Sequence, residues 1–152
     1  LATEYILTDG PFDSPQNFNR INLFGKYSSI FSDGSRLSFS GSQFTSKWDA
    51  SGQIPQRLID NGSISRFGAV DNTEGGNTSR TNINVAYTKR IDENTFVKNT
   101  FFYSKYQFEL YSNFTFFLND PINGDQIRQK ESRDLYGFSS EWNKKNNNSV
   151  FQ

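Results

Sequence analysis

The sequence predicts an all-β protein: an antiparallel up-and-down meander of about five long strands, joined alternately by short turns and long loops. Side chains alternate between two faces, as in residues 81–87, where Ile83, Val85 and Tyr87 share one face. No segment sustains the 3.6-residue apolar period of a long helix. Only 34% of residues are hydrophobic, yet 16% are aromatic. This composition is typical of strands that have one apolar and one wet face.

Five strands follow from this alternation and from the turn signals between the strands. Their predicted ranges are 18–31, 36–48, 78–90, 95–112 and 132–144. An Asp-Gly pair marks a tight hairpin turn at 32–35, and residues 91–94 form a second short turn. The second strand is irregular because Phe44 falls on its polar side. We expect a β-bulge at residues 41–43 to shift the alternation there.

Three long connections alternate with these turns. We assign residues 1–17, 49–77 and 113–131 as long loops, and residues 143–149 as a further short turn before another strand. Because each strand reverses direction, loops 49–77 and 113–131 must lie at the same end of the sheet, opposite the short turns. Long irregular loops in compact domains are uncommon and tend to be functional.

The lengths of these elements favour a transmembrane β-barrel. Strands in soluble proteins usually have about 5–6 residues, whereas the predicted strand 95–112 would extend roughly 60 Å at ~3.3 Å per residue. Outer-membrane barrels have short turns on the periplasmic side and long loops outside. We therefore expect residues 1–152 to form part of a large transmembrane barrel. Soluble β-sandwiches share the alternation, so they remain an alternative.

In a barrel segment, each strand presents one face to lipid and the other to the interior. The residues expected to point outward are Ile21, Leu23, Ile83, Val85, Phe102 and Phe108. The residues expected to point inward are Ser38, Arg80, Asn82 and Asn84.

Charge and residue types exclude several classes of function. Sixteen basic residues balance sixteen acidic ones, so nothing indicates a nucleic-acid partner. The chain has no His and no Cys, which excludes Ser-His and Cys-His nucleophiles and thiolate metal sites. No pair of carboxylates is singled out for glycoside hydrolysis by its spacing. We predict no catalytic residue, no metal and no cofactor, and hence no enzyme.

The long loop and the end of the strand before it carry the candidate ligand-binding residues. They are Trp48, Arg57, Arg66, Asp71 and Glu74. A loop held at the mouth of a barrel could gather a ligand with such side chains; solvated loop charge or packing between loops is the alternative interpretation. The "DNTEGG" segment lacks the ligand order of a calcium loop. We expect an Asx-capped turn there, with Gly75 and Gly76 supplying positive φ.

Three segments carry a resemblance to a known family. They are "FNRINLFGKY", "WDASGQIPQRLI" and "SRFGAVDNTEGGNTSRTNI". With them, residues 17–90 resemble the barrel of TonB-dependent receptors, particularly the large receptors of the Bacteroidetes type. From residue 95 onward only the strand character matches.

The resemblance implies a roughly 22-stranded barrel in the cell outer membrane, enclosing an N-terminal plug domain. Such receptors import scarce nutrients of the siderophore, cobalamin or glycan class with energy delivered by TonB. Residues 1–152 would be an interior barrel segment without a plug domain.

Its implied partners are outer-membrane lipid, the plug domain and remaining barrel strands, TonB via the missing plug, and an unknown small-molecule or glycan ligand. The chain has no Met, so we expect it to derive from a larger protein. A soluble secreted β-sandwich or lectin-like binding module is the alternative function.

Overall fold

The structure, a computed structural model, describes residues 1–115, 118–121 and 124–145. Its elements are β1 (Ala2–Thr8), β2 (Phe18–Ile30), β3 (Arg36–Asp49), α1 (Gln56–Asp60), β4 (Gly75–Arg90), β5 (Thr95–Ser112) and β6 (Ile127–Lys144). All six strands form one sheet in the order β1-β2-β3-β4-β5-β6, and every neighbouring pair is antiparallel. The predicted all-β meander is confirmed. Within the described ranges the sheet does not close, so β1 and β6 are its edges.

The five predicted strands are all present, with ends that differ by a few residues. β3 continues to Asp49, β4 begins at Gly75, and β6 begins at Ile127. The long connection after β3 is therefore shorter than the predicted range, and it contains the short helix α1. The turn and strand expected at residues 143–151 lie largely outside the described residues.

The prediction that residues 1–17 form only a loop is wrong, because Ala2–Thr8 form the edge strand β1. This strand pairs with the first half of β2, and an ion pair of 2.7 Å joins Glu4 to Arg20 across the two strands. Within β1 the apolar Ile6 lies on the same face as the charged Glu4. The alternation of apolar and polar residues is therefore too weak to indicate a strand in so short a segment. The Gly-Pro and Ser-Pro turn signals that follow it dominate the local sequence pattern.

The predicted β-bulge at residues 41–43 is also wrong. β3 pairs without interruption with both neighbours: Gly41 lies opposite Gly25 and Ile83, and Gln43 lies opposite Leu23 and Thr81. Phe44 therefore stays on the polar face, opposite Asn22 and Arg80. Phe44 is thus an aromatic residue within the polar face, and it does not mark a change of register.

The continuous register sorts all strand residues into two faces and corrects part of the predicted orientation. Ile21, Leu23, Ile83 and Val85 share one face, while Ser38, Arg80, Asn82 and Asn84 share the other. Phe102 and Phe108 belong to the second, polar face, because they lie opposite Asn84 and Thr78. β5 has aromatic residues on both of its sides. Alternation within this strand alone therefore does not indicate which side lies on the same face of the sheet as the apolar residues of β4.

No second layer covers the sheet in the part of the chain that the structure describes. None of these residues is a buried hydrophobic, and the contacts between strands are those between neighbours in the sheet. Backbone ladders and same-face side-chain pairs therefore hold the strands together. Among the described residues, no helix is long and apolar enough to cross a membrane.

Candidate functional site

The long loops lie together at one end of the sheet. The described parts of the connections β1–β2, β3–β4 and β5–β6 share this end, and the turns at 31–35 and 91–94 lie at the other. The predicted placement of both long loops at one end is confirmed. We call the three connections the loop cluster.

Residues 9–17 hold one side of the long β3–β4 loop. Asp13 N donates to Phe67 O at 2.9 Å, and Asp49 N donates to Gln16 O at 2.7 Å. The side chain of Asn17 also donates to the Asp49 carboxylate at 2.7 Å. These bonds restrain the loop at its start and near its middle.

Glu74 joins the loop cluster at its centre. It is only 6% exposed, and its carboxylate accepts a hydrogen bond from the backbone N–H of Asn113 in the β5–β6 connection. A Cβ atom added at Gly52 would overlap this carboxylate. Burial raises the pKa of Glu74, and the nearby Asp71 charge acts in the same direction, while the Asn113 hydrogen bond opposes both.

Asp71 forms the expected Asx-capped turn. Its Oδ1 accepts hydrogen bonds from the Thr73 N–H at 2.9 Å and from the Thr73 hydroxyl at 2.5 Å. Its Oδ2 accepts from the side-chain amides of Asn113 at 3.3 Å and Gln126 at 3.5 Å. Partial burial opposes ionisation, but these hydrogen bonds together hold the pKa of Asp71 below its ordinary value. No group of side chains in the described ranges is arranged to hold a metal ion.

Trp48 packs on the backbone where the loop re-enters the sheet. It lies opposite Gly76, and a Cβ atom at Gly76 would meet the Trp48 ring at 2.9 Å. Gly75 has φ 151°, which confirms positive φ at this position. The same prediction is wrong for Gly76, whose φ is not positive because it already pairs as a regular strand residue with Trp48. The pair of glycines lets the chain approach the β3 backbone and the indole closely.

The two candidate arginines of the long loop differ from the other candidates. The side chains of Arg57, on α1, and Arg66 are both exposed, and neither forms an ion pair within the described part of the chain. The structure therefore divides the predicted set. Trp48, Asp71 and Glu74 bind other parts of the protein, whereas Arg57 and Arg66 are available to a ligand or to solvent.

The face that carries Ile83 and Val85 has a broad apolar zone, which we call the apolar belt. On β3 to β6 it occupies the half of the sheet near the short turns, and on β1 and β2 it extends to the end near the long loops, where Leu7 and Ile21 lie. Its members are Tyr5, Leu7, Ile21, Leu23, Tyr27, Leu37, Phe39, Ile83, Val85, Tyr87, Val97, Phe101, Tyr103, Tyr136, Phe138 and Trp142. Asn99 and Ser140, which lie opposite each other, interrupt it. Several members are widely exposed, including Tyr136 at 76% and Phe138 at 70%.

On the same face, the half of β3 to β6 near the long loops is predominantly polar. Its members are Gln43, Thr45, Lys47, Asn77, Ser79, Thr81, Lys105, Gln107, Glu109, Arg128, Lys130, Ser132 and Asp134. The boundary between the two halves is sharp on β4, where Ile83 is followed toward the loops by Thr81. A surface that changes from apolar to polar along each of the strands β3 to β6 fits an environment that changes in the same direction.

The apolar belt crosses the strands obliquely. On β2 it runs from Ile21 to Tyr27, and on β6 from Tyr136 to Trp142. Following the register from β2 to β6 shows that both ends of the belt move about four residues toward the short turns, or roughly 13 Å. The distance across these strands is about 19 Å, so the belt makes an angle of about 35° with the hydrogen-bonded rows. Strands in closed barrels tilt by about the same angle, 35–45°.

The opposite face is predominantly polar and carries features that alternation alone did not identify. Asn82 accepts from the Ser104 hydroxyl at 2.8 Å and donates to the Ser42 hydroxyl at 3.0 Å. Near this network, the guanidinium of Arg80 lies over the ring of Tyr106. Their meeting depends on the register between β4 and β5, which no single strand reveals.

Comparison with protein-family models, with curated proteins and with solved structures found no match for this chain.

The position of Glu74 predicts different effects of alanine at two loop glycines. Gly52 and Gly62 both have left-handed φ, 64° and 75°, so alanine should cost roughly 1–2 kcal/mol of backbone strain at each. Only Gly52→Ala also pushes against the Glu74 carboxylate, since nothing lies near a Cβ atom at Gly62. Trypsin should therefore cleave after Arg57 and Arg66 several-fold faster in Gly52→Ala than in Gly62→Ala. Equal cleavage rates in the two variants would contradict the proposed role of Glu74 at the centre of the cluster.

The raised pKa of Glu74 predicts a pH dependence of the loop cluster. A carboxyl whose pKa is higher in the folded state stabilises that state as pH falls from the raised pKa toward the ordinary 4.5. Hydrogen exchange of residues 50–55 and 111–115, corrected for intrinsic rates, should slow in this window, by at most about tenfold per pH unit. Asp71 acts oppositely, so protection should decline again below its ordinary value of 3.8.

Glu74→Gln provides the control for this pH effect. The variant should lose the gain in protection above pH 4.5 and keep the decline below 3.8. If Glu74→Gln reproduces the whole profile of the unsubstituted chain, Glu74 is not the titrating group.

Proposed function

We propose that the chain is part of the wall of an outer-membrane β-barrel, with the apolar belt against lipid and the opposite face toward a wet interior. The observation that carries the proposal is the oblique apolar belt on one face of long strands, opposite a polar face. Outward apolar bands and polar interiors are the general pattern of transmembrane barrels.

The dimensions of the belt support lipid as its partner. It spans about 20 Å along β2 and along β6 at ~3.3 Å per residue, against a band of roughly 25 Å in known barrels. Tyrosines and a tryptophan lie near its margins: Tyr103 and Tyr136 toward the loops, and Tyr27, Tyr87 and Trp142 toward the turns. Amphipathic rings of this kind concentrate at membrane–water interfaces.

The edge strands β1 and β6, whose outer sides have no partner strand among the described residues, support continuation of the sheet into a barrel. β6 has 18 residues and exposes a row of backbone N–H and C=O groups along its outer side. Backbone groups in the hydrocarbon core need internal partners, which only helices and closed barrels supply. Further strands beyond β1 and β6 would satisfy these groups.

The alternative, a soluble β-sandwich or lectin-like module, requires a second layer over one face. The described residues contain no buried hydrophobic side chain, which argues against that architecture. A sandwich would also bury the whole of one face, whereas here only half of one face is apolar.

We further propose that the barrel is a TonB-dependent receptor for a scarce nutrient, on the resemblance of residues 17–90. The loop cluster at the polar end of the sheet would then form part of the external mouth, where Arg57 and Arg66 are free to reach a ligand. Nutrient uptake that requires this protein and disappears in cells lacking TonB would support the receptor; uptake independent of TonB would refute it.

The two tryptophans of the chain test the orientation of the faces, because they lie on opposite faces. Trp142 belongs to the apolar belt and is 68% exposed, whereas Trp48 lies on the polar face beside the loop cluster. In vesicles of brominated phosphatidylcholine, Trp48→Phe should lose most of its fluorescence, because its remaining Trp142 contacts lipid. The matched variant Trp142→Phe should keep its emission and be quenched by aqueous iodide.

The outcomes of this experiment separate the two architectures. Bromine quenching of both tryptophans to the same extent, or of neither in a chain that sediments with the vesicles, would contradict the proposed membrane face. A sandwich would leave both indoles insensitive to the lipid.

A further inference from the structure

On the polar face, one row across the sheet brings together aromatic and cationic side chains. Phe44, Arg80, Tyr106 and Arg133 lie directly opposite one another on β3, β4, β5 and β6. The guanidinium carbons of Arg80 and Arg133 lie 5.0 and 5.5 Å from the centre of the Tyr106 ring. The ring of Phe108 lies nearly parallel to that of Tyr106, with centroids 6.4 Å apart. We call Phe44, Arg80, Tyr106, Phe108 and Arg133 the Arg80 cluster.

The three arginines at this level of the polar face differ in their charge partners. Arg133 forms an ion pair with Glu131, and Arg20 forms one with Glu4. Arg80 forms none within the described ranges, and its side chain is exposed. At this level of the polar face Arg80 is therefore the arginine without a charge partner in the described ranges, and a cation–π contact holds its guanidinium over an aromatic ring.

The surrounding polar face is also cationic. Seven basic side chains lie on it against three acidic ones: Arg20, Lys26, Arg36, Arg80, Arg90, Lys98 and Arg133, against Glu4, Glu131 and Glu141. The opposite face, which carries the apolar belt, is cationic to a similar extent, with six basic and three acidic strand residues, because most acidic residues of the neutral chain lie outside the strands. The polar face thus carries an excess of positive charge that it shares with the rest of the sheet. Its potential favours the approach of anions.

A shallow depression of about 400 Å³ opens beside Arg80. It is lined by Asn22, Ser42, Phe44, Thr78, Arg80, Asn82 and Tyr106. The amide of Asn82 is oriented by hydrogen bonds with Ser42 and Ser104. The depression thus combines one cation, oriented polar groups and an aromatic wall, which are the elements of a site for a small polar ligand.

We propose that the Arg80 cluster binds a small carboxylate-bearing solute of about monosaccharide size. The planar guanidinium of Arg80 pairs with the carboxylate, because its N–H groups match both carboxylate oxygens. Phe44 contacts the C–H face of the solute, and Asn82 and Thr78 bind its hydroxyl groups. Tyr106 is a positioning residue, since its ring holds the guanidinium in place. A single uncompensated charge suits a monoanion.

Glucuronate and glucose are matched probes for this site, since they differ by the carboxylate. Saturation-transfer NMR on the full chain in detergent micelles should detect glucuronate and not glucose. Arg80→Gln should weaken glucuronate binding by about tenfold or more, as expected for loss of a charged hydrogen-bond partner. The control Arg36→Gln lies on the same face near the short turns, and Arg36 also forms no ion pair with any described residue; this variant should bind as the unsubstituted chain does.

Variants of Tyr106 test the positioning role. Tyr106→Phe keeps the ring and should retain binding, whereas Tyr106→Leu removes the cation–π contact and should weaken binding several-fold. Circular dichroism must show the same strand content in all variants, so that a loss reports the site and not the fold.

Three results would overturn the proposal: equal binding of glucose and glucuronate, equal loss in Arg80→Gln and Arg36→Gln, or saturable binding of an oligoglutamate peptide without binding of glucuronate. The first would show that the carboxylate is not recognised, the second would leave only the general charge of the face, and the third would assign the cluster to an acidic protein segment. The site does not depend on lipid at the opposite face, so this experiment and the tryptophan quenching fail separately.

Discussion

The unbroken antiparallel register is the constraint on which the rest of the structure depends. Within the described ranges no second layer packs on the sheet and no hydrophobic side chain is buried, so a core cannot hold the strands in place. The ladders β1–β2 through β5–β6 hold them instead. Because side chains alternate with a period of two, a one-residue slip would exchange the two faces of a strand. The apolar belt and the Arg80 cluster both exist only in the observed register.

The same constraint separates the roles of the two ends and the two faces. Strand reversal brings three long connections to one end. Hydrogen bonds of Glu74 and Asp71 with Asn113 join the second and third connections, and backbone bonds of Asp13 and Gln16 join the first connection to the second and to the end of β3. On β3 to β6 the apolar belt lies at the other end of one face, away from the loop cluster. A charged residue at the lipid face of a barrel costs about 2–4 kcal/mol at the midplane and little near the interfaces. The polar residues that begin at Thr81 are therefore compatible with lipid only if the membrane ends near that level.

Sequence reasoning succeeded where alternation is strict and failed where it is not. β4 alternates clearly, so the faces of Ile83 and Asn82 were predictable, and the Asp-Gly hairpin and the positions of the long loops followed from turn chemistry and strand parity. β5 carries aromatic residues on both faces, and only its pairing with β4 shows that Phe102 shares a face with Asn84. Phe44 was misinterpreted because only the pairing of β3 with β2 and β4 shows that the register is continuous there. In the candidate site, the sequence indicated the charged residues of the loop, but contacts between distant segments decide that Glu74 is internal and Arg57 is free.

The face assignment of β4 is the central claim, and site-directed spin labelling tests it most directly. The chain has no Cys, so each single-Cys variant from residue 79 to residue 87 carries one nitroxide label. With the chain in lipid vesicles, labels at 83, 85 and 87 should be accessible to oxygen, and labels at 82, 84 and 86 to a water-soluble nickel complex. Labels at 79 and 81 should also be accessible to the nickel complex, because the belt ends at Ile83. Equal accessibility at odd and even positions between 82 and 87, or a reversed alternation, would contradict the account.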